Sequence, residues 1–412
     1  MSPTLLPRPP RTLALVVGGT LAVLALAVAV GERDGRAARA GRVHDQGVVA
    51  EVPARGRDPL ARQLERLGRR LAAAPRDVEL ATEVAQLALR EARRSADPRL
   101  LGRAQAALAP WWQEPAPAAS VLLLRATIKQ SRHEFEDALV DLDRLLADRP
   151  DDAQALLVRA VVLTVRGRYD EALATCRRLT LAPALVTVAC AAPAEAALGQ
   201  VQPALKKLEM ATAAATVPSD AAWGHSLAGE IAFWAGQPER AQSHLVRALA
   251  LDPTDGYSRT LLADLLLDQG RAAEVVELLA GREADDGALL RLALAERQRG
   301  SARAATLIAD LAQRLEGARR RADFSHGREE ARFALFLADD PQRALQLAQG
   351  SWATQHEPWD ARLVLAAAAD RDRDDPSIRA VADFVRARGG AWVRALPPGP
   401  VAPPRQVSGG VR

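Results

Sequence analysis

Phe135-Glu136-Asp137-Ala138-Leu139 and Tyr169-Asp170-Glu171-Ala172-Leu173 are one phrase written twice, 34 residues apart. Upstream, Leu122-x-x-Arg125-Ala126 recurs as Leu156-x-x-Arg159-Ala160 at the same offset. Two matching blocks at one fixed offset mean a repeated supersecondary unit that buries its apolar face against neighbouring copies. Within each copy the apolar residues keep helical spacing, as in Leu139, Leu142, Leu145 and Leu146, or Leu156, Leu157, Ala160 and Leu163. A short polar turn divides the helices: Ser131-Arg132-His133 in the first copy, Arg166-Gly167-Arg168 in the second. Glycine there suits a left-handed helix end, where a Cβ brings strain. Pro150 closes the first copy, since proline cannot continue a helix and biases the residue before it toward extended backbone. Each unit is therefore expected to be a helical hairpin, with Ala126, Ala138, Ala160 and Ala172 small where its helices cross.

This arrangement resembles the tetratricopeptide repeat family: a 34-residue period, a small residue late in the first helix, an alanine early in the second, and a closing proline. Ser120–Pro150, Ala153–Ala184 and Ala222–Pro253 carry the resemblance. In the last of these, Gly229, Gly236, Ala241, Ala248 and Pro253 take the matching places. The family's large second-helix aromatic is replaced by Leu142, Cys176 and Leu245. The resemblance implies an all-α fold, a right-handed superhelical solenoid of helix-turn-helix repeats. Setting the second-helix small residue at Ala104, Ala138, Ala172, Ala204, Ala241, Val275, Ala305, Ala344 and Ala380 gives nine hairpins within residues 59–390. Repeats 119–152, 153–186 and 222–255 fit best, and the others are degenerate.

Composition agrees with helices. Residues are 49% hydrophobic but only 4% aromatic, so the core must be packed from Ala, Leu and Val, two of which are strong helix formers. Residues 1–11 carry Arg8, Arg11 and several prolines. Thr12–Val30 is then free of charge, and its length corresponds to roughly 29 Å of helix, about one hydrocarbon core. Two readings stay open for it. A retained transmembrane anchor fits the length, because the apolar part of a secretory signal is usually shorter. A cleaved signal fits the small residues Ala27-x-Ala29. Arg33, Arg36, Arg39 and Arg42 beyond the span lean by simple counting toward a cytoplasmic body. Glu32 and Asp34 dilute that flank, and the basic N-terminus favours a body on the outer, periplasmic-type side. Residues 31–58 read as a flexible linker, and 391–412, with Pro397, Pro398, Pro400, Pro403 and Pro404, as a disordered proline-rich tail.

Several chemistries find no support. Net charge is only +4 and acids alternate with arginines, so no nucleic-acid footprint emerges beyond Arg319-Arg320-Arg321. Among the basic residues only Lys129, Lys206 and Lys207 are lysine, a bias of composition. No HExxH, CxxC, GxGxxG or phosphate-loop motif exists. His326-x-x-Glu329 lacks a third ligand, and Gly224-His225-Ser226-Leu227-Ala228 lacks the strand and final glycine of a nucleophile elbow. The reading is therefore no enzyme, no cofactor, no metal and no small-molecule substrate. Cys176 and Cys190 are the sole cysteines, seven residues either side of Pro183, at equal height if a turn centres there. A disulfide is then open to them, alongside two buried thiols.

The resemblance makes the first helices the lining of a concave ligand surface. In its frame the inward positions are Trp223, Ser226, Glu230, Phe233 and Trp234, then Tyr257, Thr260, Asp264 and Asp268. This aromatic and acidic set has the composition of a protein-binding hot spot, for a partner segment carrying basic residues; inter-repeat packing is the alternative. The equivalent positions of the 120–165 units, Ser120, Leu123, Thr127, Gln130, Gln154, Leu157, Val161 and Thr164, lack the lysine–asparagine clamp that some family members use on peptide carboxylates. The expected function is a membrane-tethered scaffold or adaptor at a bacterial-type cell envelope, binding a protein or peptide. The alternatives are a secreted or periplasmic regulatory protein after cleavage near Ala29, and a non-catalytic subunit of an envelope enzyme or transport complex.

Overall fold

A computed structural model describes residues 59–95, 99–320, 327–368 and 375–387. Thr12–Val30, the linker, the proline-rich tail, Arg321 and His326 lie outside the described residues. Those described form nineteen α-helices and no strand. A lead helix, α1 (Pro59–Ala73), precedes nine hairpins. These are α2/α3 (Val78–Ser95, Arg99–Ala107), α4/α5 (Ala119–Ser131, Phe135–Asp148) and α6/α7 (Ala153–Val165, Tyr169–Cys176). Next come α8/α9 (Ala184–Ala197, Val201–Ala213), α10/α11 (Pro218–Trp234, Pro238–Leu251) and α12/α13 (Gly256–Asp268, Ala272–Leu278). The last three are α14/α15 (Asp286–Gln298, Arg303–Arg320), α16/α17 (Gly327–Phe336, Pro341–Thr354) and α18/α19 (Pro358–Ala367, Pro376–Ala387).

Local chemistry sets these boundaries. Asp152, Asp255 and Asp285 each open a first helix by accepting two backbone N–H bonds with the side chain, satisfying donors that the helix itself leaves free. The turn inside a hairpin places one residue at positive φ: Gly167 at 71°, Gly236 at 67°, Gly270 at 72°. In the first clear copy that place is held by His133, at 61°, so a side chain with a Cβ accepts the left-handed conformation. Helix crossings use the small residues as expected. At Gly229 a Cβ would lie 2.8 Å from Leu245 Cδ2 and Cγ, so only glycine allows that approach.

The small-residue frame from Ala104 to Val275, and again at Ala344, is buried. It slips elsewhere: Ala305 and Ala380 are exposed, and Ala304 and Val381 take the inward places. In both helices the larger apolar set decides the face, Leu307, Leu311 and Leu315 in one, Ile378 and Val385 in the other. Burying several leucines outweighs keeping one alanine at a crossing.

One core cluster runs from Leu122 to Val385, and a second, from Leu64 to Ile128, meets it across α4. The stack proceeds by nearest neighbours as far as α15. There it changes: α14 and α16 still touch, but α15 and α16 scarcely do. Beyond this junction the last two hairpins swing back onto first helices of earlier hairpins. They reach residues nearly half the chain away. His356 N–H donates to the Val165 carbonyl at 2.6 Å, Arg166 donates to the Thr354 carbonyl at 2.7 Å, and Tyr169 donates to the His356 carbonyl at 3.1 Å. The Gln355 side chain meets His133 Nδ1 at 3.1 Å. The solenoid thus closes on itself, which is a departure from units that touch only their neighbours.

Candidate protein-binding trough

The first helices α10 and α12 place the nine expected surface residues side by side. None of them faces open solvent. Trp223, Ser226, Glu230, Phe233, Tyr257, Thr260 and Asp264 are buried, and Trp234 and Asp268 half-buried. Ser226 accepts a hydrogen bond from Ser258 at 2.8 Å, and Thr260 donates back to the Gly256 carbonyl, so both hydroxyls are held within the stack. Glu230, Phe233, Tyr257, Asp264 and Asp268 face α16 and α18 of the returning hairpins.

Across that contact the partners are basic and aromatic. Arg332 grips Asp264 with two nitrogens, at 2.7 and 3.1 Å, and Arg291 from the neighbouring α14 reaches the same carboxylate at 2.6 Å. Arg362 pairs with Asp268 at 2.7 Å. Phe233 meets Trp359 edge to face, ring centroids 4.9 Å apart. Beside them Arg328 binds Asp360 through Nε and Nη2, at 3.0 and 2.7 Å, and Glu357 at 2.6 Å. Charged-group geometry of this two-nitrogen kind is the strong form of the arginine–carboxylate bond.

Burial and charge act in opposite directions on these groups. Burial pushes Asp264 up, but Arg291 and Arg332 together outweigh it and hold the carboxyl at about 2. Glu230 has no such pairing. Burial raises it to about 8, against the hydrogen bonds from Tyr257 and Trp359, so it carries a proton at neutral pH. Asp360 rises to about 6, with burial ahead of the opposing pull of Arg328. His133, under the closing loop, is driven down to about 4 by burial and by the Arg328 charge. Beside the neutral Glu230, Asp264, Asp268, Glu357 and Asp360 stand against Arg291, Arg328, Arg332 and Arg362, with Glu329 close to Arg328 and Arg332.

Sequence reasoning assembled the acidic half of this contact and missed the basic half. A signal was available. Arg328 and Arg332 lie four apart, hence on one helix face, and Pro358-Trp359 opens a helix that also carries Arg362.

Elsewhere, Ser226 and His225 sit within α10, and His225 Nδ1 lies 2.9 Å from His244 Nδ1, whose Nε2 contacts Glu209 at 2.8 Å. Among the described residues no group of three His, Cys, Asp or Glu side chains could hold a metal ion. No described helix is long and apolar enough to cross a membrane. Cys176, at the end of α7, and Cys190, in α8, are joined, with Cα atoms 5.7 Å apart.

Stacked helical hairpins around a trough filled by helices define an α-solenoid of the protein-interaction class, typically non-catalytic. The tetratricopeptide repeat family model matches residues 123–185, the stretch that holds both copies of the repeated phrase. No curated protein matches it. Similar solved structures include a tetratricopeptide repeat protein from Parabacteroides merdae, 14% identical, covering 74% of this chain and 98% of that one at a TM-score of 0.32. Another is the human IFIT1 dimer with PPP-AAAA, 14% identical, covering 82% and 87% of the two chains at a TM-score of 0.37. Repeats of this kind suggest a scaffold for protein–protein interaction.

Proposed function

We propose that this chain is a non-catalytic scaffold that gathers a protein or peptide partner at a cell-envelope membrane. Thr12–Val30 tethers it, and the repeat body stands on the outer, periplasmic-type side. The observation that carries the interaction reading is the trough of α10 and α12, where Phe233, Asp264 and Asp268 engage helices through a ring contact and paired arginines. Aromatic anchors beside desolvated charge pairs are the composition of binding hot spots. The Cys176–Cys190 bridge supports the outer side, because disulfides persist in oxidising compartments.

Two measurements test the reading. Carbonate extraction of membranes should leave the chain with the lipid; release into the supernatant points instead to a protein secreted after cleavage near Ala29. Affinity capture from detergent-solubilised membranes should recover a protein partner. That partner should be lost on replacing Trp223 and Trp234 with alanine while helical circular dichroism persists. Undiminished capture by that variant removes the trough from the proposal.

A further inference from the structure

The returning hairpins share the apolar core of the stack and add to it ion pairs that span the superhelix. From Ala119 to Gln298 successive hairpins meet chiefly through Ala, Leu and Val, with pairs between neighbouring hairpins such as Arg291–Asp264 and Arg240–Glu209. The fold-back instead matches Arg332 to Asp264 and Arg362 to Asp268, with Trp359 set against Phe233 and Glu230. A buried ion pair gains little net free energy, since desolvation of both charges offsets most of their attraction. An interface of that kind is specific yet exchangeable: a competitor offering the same charges replaces it at small cost. Contact between α15 and α16 is sparse, and the last hairpins join the stack through α14 and the trough.

We propose that the trough of α10 and α12 is a receptor for a partner helical hairpin presenting one arginine from each of its two helices beside a tryptophan, as Arg332, Arg362 and Trp359 do, and that residues 327–368 are its in-chain occupant. The partner and the returning hairpins compete for Asp264 and Asp268, so the free chain is self-closed and the partner-bound chain is open. The inference rests on the scaffold reading and names the chemistry and the regulation of its trough. A tethered occupant of roughly 10 μM intrinsic affinity acting at an effective concentration of about 1 mM weakens any external ligand of the same site about 100-fold.

The probe is a fluorescein-labelled synthetic peptide of residues 327–368, measured by anisotropy against the full chain in mild detergent. The wild-type chain should bind it weakly, and the Arg332→Gln/Arg362→Gln chain about 100-fold more tightly. Adding Asp264→Asn and Asp268→Asn to that variant should abolish the gain. If the double variant loses helical circular dichroism, Arg332→Gln alone carries the comparison, with a gain of about 10-fold expected. Equal binding by closed and opened chains, or tight binding that ignores the two aspartates, overturns the proposal. The readout uses the chain's own segment, so its failure leaves capture of a cellular partner by the scaffold as a separate result.

Discussion

The hairpins from Ala119 to Gln298 and the pair from Gly327 to Ala387 are made of the same two-helix unit and share one apolar core, yet their charged contacts differ in reach. In the first region, side chains such as Leu142, Leu205 and Leu245 are fully buried, and each added hairpin covers apolar surface left by the one before. In the second, the contacts that matter join arginines to carboxylates across the superhelix, over sequence separations of 68 and 94 residues. Apolar burial scales with area and tolerates drift in the repeat. Ion pairing demands particular residues and forgives little. The lesson is that a repeat protein's local units fix how it stacks, while a few non-local charges decide whether it stays open.

The sharpest way to break this comparison is Asp264→Ala. It strands Arg291 and Arg332 in a buried site, at a cost of about 3–5 kcal/mol. The loss should be regional: amide exchange should accelerate across 327–387 while the 119–213 hairpins keep their protection. Uniform loss of protection would erase the distinction between the two regions.

A smaller effect concerns acid and base. Folding keeps on Glu230 a proton that the unfolded chain releases, since burial holds it at about 8 against 4.5. Its contribution is whole below about pH 4.5 and is lost as pH rises through about 8. Stability should therefore fall over that window by on the order of 1 kcal/mol per pH unit at steepest, and Glu230→Gln should flatten the slope. Asp264 acts in the opposite sense and far lower, its stabilisation present above 3.8 and lost as pH falls toward 2. Chemical denaturation from pH 5 to 8, wild type against Glu230→Gln, separates the two; parallel curves would show that Glu230 is not a trough group.

The smallest effect compares two turns. Gly167→Ala puts a Cβ at φ +71° and within 3.2 Å of His356 and Phe384, and should cost about 1–2 kcal/mol in thermal or urea unfolding. At the same place one repeat earlier, His133→Gly relieves the left-handed strain but loses the contacts to Gln355 and Phe135. Its net change should stay within about 1 kcal/mol of zero. A large loss there would mean that His133 anchors the closure more than it strains its turn.

Much of the architecture was legible because its causes are local. The period, the turn glycines, Pro150 and the crossing alanines all act within one hairpin, and residues 34 apart repeat the same instructions. The frame slipped at Ala305 and Ala380, where the apolar spacing of Leu307, Leu311 and Leu315, or of Ile378 and Val385, overrode a single small residue. Trp223, Glu230, Asp264 and Asp268 could be placed on one face by helical period alone. Their partners could not, because nothing within a repeat states how sharply the superhelix bends between α15 and α16.

By itself, then, the amino-acid order determined the hairpin, its period and the acidic, aromatic character of one first-helix face, since each follows from side chains a few residues apart along a helix. Only the tertiary structure decided that the face is covered, that Arg332, Arg362 and Trp359 are what cover it, and that Val165 and His356 meet. Curvature is the reason. Small rotations between hairpins accumulate over the whole stack, and their sum, which no single repeat encodes, brings the distant charges together.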